Sequence, residues 1–143
     1  MQSFLPYSNF KKSAESLDYR RLGKQRVEAM QIYNVLTDKN RGFANHPAVK
    51  MWEGYNGALA EYHNVIITEW IKRGYVNNMK YIIYEDKYEY PWWLGNEDFH
   101  RAMRGRLIDK LSEFYLPKFP NDQGFNNGKY LWPVNETKTF RII

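Results

Sequence analysis

One carboxylate stands among cations in the stretch Leu17–Thr37, LDYRRLGKQRVEAMQIYNVLT. On a helical wheel Arg20, Arg21, Lys24, Glu28 and Gln31 share one face, and Arg26 points close to the middle of the opposite, apolar side. Two chemistries fit this face. Lys24 and Glu28 are spaced i,i+4, so it can be a solvated helix surface whose ion pair contributes about 0.3–0.5 kcal/mol. The second reading is a basic face that meets nucleic acid and carries a single catalytic carboxylate; from this stretch alone the solvated surface is the favoured one.

Two further groups hold candidate residues. Asn45 and His46 precede Pro47, which is suited to the first position of a helix because its missing N–H is no loss there. They either hold a phosphate or carboxylate at that helix end or simply cap it. His100, Arg101 and Arg104 fall on a later helix, with His100 bordering its apolar stripe and the two arginines projecting from another side. His63 lies beside an apolar stripe and reads as a core residue. No glycine-rich phosphate loop or nucleophile elbow is present. The absence of cysteine excludes disulfides, thiolate metal sites and a cysteine nucleophile, and the three histidines lack metal-ligand spacing, so no metal or cofactor is implied. The remaining set suits an enzyme acting on DNA. Cations neutralise phosphates, rings receive an extruded base or fill the gap it leaves, and a carboxylate stabilises positive charge as a glycosidic bond breaks, or moves protons.

The elements that must position these groups are mostly helical. Residues 2–7 read as an extended lead-in ended by Pro6. Ser8 caps a short helix over Asn9–Ser16, and Asp18 caps the helix that runs to Thr37, its core stripe built from Leu22, Ala29, Tyr33 and Leu36 with Met30 and Ile32 at the edges. Gly23 within that helix allows a close approach by a backbone or a ligand. Asp38–Pro47 is a loop. Ala48–Lys72 reads as one long helix with Trp52, Tyr55, Leu59, Tyr62, Ile66 and Trp70 on one stripe, a small-residue patch at Gly54, Gly57 and Ala58 for another helix to pack on, and Gly74 closing it. Tyr75–Gly95 is irregular, with a strand pattern at Tyr81–Tyr84 that lacks an evident partner and an aromatic corner, Pro91-Trp92-Trp93, that reads as a core plug or, as the alternative, a platform for a base or sugar. Asn96 caps a third helix to Tyr115 with a stripe of Phe99, Met103, Leu107, Leu111 and Phe114. The segment after Leu116 is too rich in apolar residues to stay in water and reads as an ordered wrap. The expected fold is mainly α, one compact domain over residues 1–143, with three main helices, long ordered loops and a ring-rich C-terminal wrap.

Bulk properties agree. A chain of 143 residues supports one domain with a real core. Twelve Tyr, eight Phe and five Trp leave few aliphatics, so rings must build much of that core. A net charge of +5 favours polyanionic partners. No apolar run approaches the ~20 residues of a membrane span, and the N-terminus lacks the pattern of a secretory signal, so a soluble cytoplasmic protein is expected, of bacterial or phage type from its richness in Asn, Lys, Tyr and Ile.

RLGKQRVEA followed by QI, then NHPAV-MW, WLG---FH------L and Y-WP, spread between Phe4 and Pro133, resemble the pyrimidine-dimer DNA glycosylases, the endonuclease V-like group of T4-type phages and its small bacterial and phage relatives. The resemblance implies an all-α fold and repair of damaged double-stranded DNA by a combined N-glycosylase and AP-lyase. An N-terminal α-amine attacks C1′, an imine forms, and β-elimination nicks the strand. In general an α-amine titrates at about 7.7–8.0, so a usable fraction is neutral at pH 7. Carried onto this chain, Glu28 is the essential acidic residue, Arg21, Lys24 and Arg26 hold phosphates, and Arg20 flanks them. Asn45 and His46 belong to the pattern of the small subgroup. Where the phage group exposes a small residue after its initiator Met is removed, this chain has Gln2, whose bulk keeps Met1 in place, so the attacking amine is that of Met1. The alternative expectation is a non-catalytic protein on the same fold that binds nucleic acid or a nucleotide-like anion.

Overall fold

The computed structural model describes residues 1–38 and 42–142, so residues 39–41 of the expected Asp38–Pro47 loop and the final residue of the wrap lie outside the description. The helices are α1 (Phe10–Ser16), α2 (Tyr19–Thr37), α3 (Pro47–Lys50), α4 (Asn56–Lys72), α5 (Glu97–Lys110) and α6 (Ser112–Tyr115). A short 3₁₀ turn at Phe125–Gly128 leads to a hairpin of β1 (Leu131–Val134) and β2 (Thr139–Ile142), paired antiparallel with Trp132 opposite Arg141 and Pro133 opposite Phe140. The three main helices expected from the sequence are α2, α4 and α5, and the fold is mainly α.

α2 packs chiefly on α4, α1 covers α4, and α5 carries α6, the 3₁₀ turn and β1. Rings fill the core where these meet. Trp52 and Trp93 are fully buried edge to face, 5.0 Å between centroids, and Trp52 also stacks on Tyr62 at 6.0 Å. Trp93 satisfies its indole N–H on the Met51 carbonyl at 2.9 Å, so the aromatic corner is a plug as its composition suggested.

Several boundaries differ from expectation, each for a physical reason. Asn9, not Ser8, caps α1 by accepting the Lys12 N–H at 2.8 Å. Asp18 precedes α2 but makes no side-chain cap bond, because its carboxylate is taken by the Tyr115 hydroxyl and by Arg21. The expected helix 48–72 breaks at Met51–Tyr55, where Gly54 adopts φ +86°, a left-handed conformation that ends a helix. The helix expected to reach Tyr115 breaks at Leu111 (φ −155°, ψ 75°), and Phe114 is exposed instead of in the core stripe. Gly23 admits the Trp70 ring and neither backbone nor ligand, since a Cβ there would meet Trp70 at 2.9 Å. Gly57 likewise admits the Tyr88 ring and not a helix. Tyr81–Tyr84 forms no strand. The Asn64 side chain, donating to the Ile82 carbonyl at 2.9 Å and accepting its N–H at 2.8 Å, ties this segment to α4 in place of a neighbouring strand.

Candidate active site around the N-terminus

Residues 2–7 have no regular secondary structure yet most are buried, so their backbone groups require other partners. Side chains supply them. The Gln2 N–H donates to Glu28 Oε2 at 2.9 Å, and the Gln2 carbonyl accepts from Gln25 Nε2 at 2.7 Å. The Phe4 N–H donates to Gln25 Oε1 at 2.8 Å, while the Phe4 carbonyl accepts from the Tyr62 hydroxyl at 2.6 Å. The Leu5 carbonyl faces His100 Nδ1 at 2.8 Å, and the Pro6 carbonyl accepts from Arg104 at 2.8 Å. Ser3 closes the set by accepting the Trp52 indole N–H at 2.9 Å. The first residues are therefore threaded through a polar channel between α2, α4 and α5.

This network changes the wheel assignment of Glu28. The expected exposed face of α2 holds for Arg20, Lys24 and Gln31, but Glu28 and Gln25 are buried against the N-terminal segment. The Glu28 carboxylate keeps Lys24 Nζ at 3.8 Å on its outer side. The charges of Arg106, Arg21 and Lys24 all reach Lys110 in this region. Burial and then the charges of Arg106, Arg21 and Lys24 lower the Lys110 pKa, and Glu28 opposes them. Arg106 and Lys110 come from α5 and were not among the residues singled out by sequence. Their spacing, i and i+4 on the basic side of a helix, is the signal that could have found them.

His46 stands on the other side of the N-terminus. Its Nδ1 accepts the Ala48 N–H at 3.0 Å, so it caps α3 itself and leaves that helix end no free donor of that kind. Burial and then the N-terminal ammonium depress its pKa, with Glu28 opposing, so the charges of the amine and the carboxylate are both felt at the imidazole. Met1, Gln31, Asn34, Val35, Phe43 and His46 line an open hollow of about 390 Å³. Trp132 meets the His46 ring edge to face at 6.2 Å, Tyr130 meets Trp132 at 5.7 Å, and Arg106 lies over Tyr130 at 4.9 Å. An arc of rings from the C-terminal hairpin thus joins the His46 side of the site to the cations of α5.

The remaining sequence candidates sit elsewhere or do other work. Arg20 lies over its neighbour Tyr19 at the surface. Arg26 turns away from Glu28, donating to Asn77 at 2.9 Å with its guanidinium over Trp70 at 4.7 Å. Asn45 is exposed and borders a separate hollow with Trp132 and Arg141. His100 is buried, accepts the Gly95 N–H on Nε2 at 2.9 Å and carries its proton on Nδ1 toward Leu5. Arg101 and Arg104 both bind Asp122, at 2.9 and 2.8 Å. His100 and Arg104 therefore face the protein, where they hold the N-terminal segment. The structure brings Met1, Gln2, Glu28, Lys24, Arg21 and His46 together, and leaves Arg20, Arg26, Asn45 and Arg101 outside that group.

A family model described as pyrimidine dimer DNA glycosylase matches residues 1–83, a span that contains the N-terminal segment, α2 with Glu28, and His46. No curated protein and no solved structure matches the chain at a significant level.

Proposed function

The chain belongs to the pyrimidine dimer DNA glycosylase family, and from that membership we propose that it cleaves the glycosidic bond of a damaged pyrimidine in duplex DNA and then nicks the strand as an AP lyase. The observation that carries this reading is the contact between the Gln2 backbone N–H and Glu28 Oε2, which holds the start of the chain against a single buried carboxylate beneath a cationic surface. In this mechanism the lone pair of the neutral Met1 amine bonds to C1′ as the C1′–N1 bond breaks, and that electron pair leaves with the base. Glu28 takes the proton from the new C1′–N⁺ centre and returns it to O4′ as the sugar ring opens, giving a protonated imine. Loss of a C2′ proton then expels the 3′ phosphate. Glu28 also lowers the energy of the positive charge that develops at C1′. Arg21, Lys24, Arg106 and Lys110 hold the flanking phosphates, and the phosphate term makes binding steeply salt dependent.

Borohydride trapping tests this. Incubation with duplexes containing a cyclobutane pyrimidine dimer or an abasic site should give a covalent protein–DNA adduct and a nicked strand, with the adduct on the peptide that contains Met1. Binding without an adduct or a nick on either duplex would replace this reading with that of a non-catalytic DNA-binding protein on the same fold.

A further inference from the structure

We propose that the outer edge of residues 81–85 joins a second copy of this chain, the two edges running antiparallel about a two-fold axis at Ile83. The inference stands apart from the glycosylase reading, because this segment packs on the side of α2 that faces away from Glu28. Arg26, which turns away from Glu28, donates to Asn77 at 2.9 Å, and Tyr33 meets Tyr84 edge to face at 6.5 Å.

The direction of the backbone follows from Ile82. Asn64 Oδ1 accepts the Ile82 N–H at 2.8 Å and Asn64 Nδ2 donates to the Ile82 carbonyl at 2.9 Å, so both main-chain groups of Ile82 point at α4. This is the two-bond exchange of an antiparallel residue pair, with a side-chain amide in the place of the neighbouring strand. No peptide bond among the described residues is cis, and in a planar trans peptide the C=O and the next N–H point opposite ways. The Tyr81 carbonyl and the Ile83 N–H therefore point away from α4. Neither has a hydrogen-bond partner among the described residues. Residues 75–85 run on without helix, turn or bend, and Ile83 is 95% exposed. The segment is thus held on one edge and open on the other, and an open edge is a template for pairing with another chain.

The charge pattern selects the occupant. In an extended strand alternate residues turn their main-chain groups outward, here Tyr81, Ile83 and Glu85, so an antiparallel self-pairing is centred on residue 82, 83 or 84. Centring on Ile83 sets Lys80 opposite Asp86 of the second copy, twice by symmetry, with Ile82 opposite Tyr84 and Ile83 opposite itself. Centring on Tyr84 sets Ile82 opposite Asp86 and Ile83 opposite Glu85, and centring on Ile82 leaves Lys80 opposite Tyr84 and Asp86 opposite Asn78. Of the three, the Ile83 register alone matches both the charges and the exposed aliphatic side chain. In it the Ile83 N–H donates to the Ile83 carbonyl of the second copy, and the Tyr81 carbonyl accepts the Glu85 N–H of that copy. A two-fold contact uses the same patch on both chains, so it closes the open edge of each and leaves both Glu28 faces outside the contact.

Analytical ultracentrifugation of the full chain without DNA tests this. The wild-type protein should pass from monomer to dimer as its concentration rises through the micromolar range, and amide exchange at Ile83 should slow with concentration while that at Ile82, already held by Asn64, stays constant. Lys80→Asp or Asp86→Lys alone sets like charges opposite each other twice and should raise the dimer dissociation constant on the order of 10-fold. An equimolar mixture of the two variants restores opposite charges at both positions and should form a heterodimer of wild-type affinity, a result the other two registers do not give. Ile83→Asp should sediment as a monomer with an unchanged circular dichroism spectrum. A wild-type chain that stays monomeric up to millimolar concentration would overturn the proposal, as would a dimer that Ile83→Asp leaves intact or a mixture that associates no more tightly than either charge variant alone.

Discussion

The backbone N–H of Gln2 and the carboxylate of Glu28, 26 positions apart in the chain, meet at 2.9 Å. That contact is supported from behind by Gln25, whose amide nitrogen lies 2.7 Å from the Gln2 carbonyl and 3.5 Å from the same carboxylate oxygen. Glu28→Gln preserves the shape of this junction and removes the negative charge. It should lower single-turnover nicking by about 10²–10⁴-fold and leave DNA affinity in gel-shift titrations at the wild-type level.

Gln25 is buried and serves both strands of the network at once, through Gln2 and Phe4. Gln25→Ala leaves two backbone groups without partners, each worth about 1–3 kcal/mol. Urea unfolding should report that loss. Trapping at a temperature where the variant is fully folded should still be slowed, on the order of 100-fold, because a misplacement of about 1 Å at a reacting atom has that effect. Wild-type trapping by folded Gln25→Ala would show that the channel does not position the amine.

The cations divide into two kinds. Lys24 and Lys110 are at the surface near Glu28, so Lys24→Ala or Lys110→Ala should make the slope of log affinity against log salt less negative by about 0.9 each. Arg104 is bound to Asp122, to Glu97 and to the Pro6 carbonyl. Arg104→Ala should leave the salt slope unchanged and lower stability by about 1.5–3 kcal/mol, the scale of a hydrogen bond to a charged group. A changed slope in Arg104→Ala would place that arginine on the DNA.

His100 sets a pH dependence. Burial and then the nearby Arg104 charge lower its pKa, partly offset by its bond to Leu5, and its Nε2 must stay unprotonated to accept from Gly95. The unfolded state, with a histidine pKa of about 6.5, therefore binds the proton more readily than the folded state. The stability this group contributes is present above about pH 6.5 and is lost as pH falls below it. His63, depressed by burial, acts in the same direction. Chemical denaturation at pH 7.5 and pH 5 should show the decline, and His100→Gln should flatten it.

Gly57 tests the aromatic packing. A Cβ at this position would lie 2.4 Å from the Tyr88 ring, whose hydroxyl is held by Glu61 at 2.6 Å and so cannot swing away freely. Gly57→Ala should lower the denaturation midpoint by an amount equivalent to about 1–3 kcal/mol.

The amino-acid sequence by itself determined the elements with strong periodicity and clear end signals. The 3.6-residue spacing of Leu22, Ala29 and Ile32 and the Asn96 and Gly74 signals are local properties of the chain, and they placed α2, the start of α5 and the end of α4. They also marked Glu28 and His46 as unusual, because a lone carboxylate among cations and a histidine before a helix-starting proline are visible without any fold. Only the tertiary structure decided which way these groups face. Periodicity put Glu28 with Lys24 in solvent, whereas an irregular N-terminal segment, invisible to any periodic pattern, needed hydrogen-bond partners and drew Gln25, Glu28, His100 and Arg104 to itself. Arg106, Lys110 and the Tyr130–Trp132 arc reach the same region from more than 70 residues further along the chain. That meeting comes from helix packing and a hairpin register, which residue types do not encode one by one.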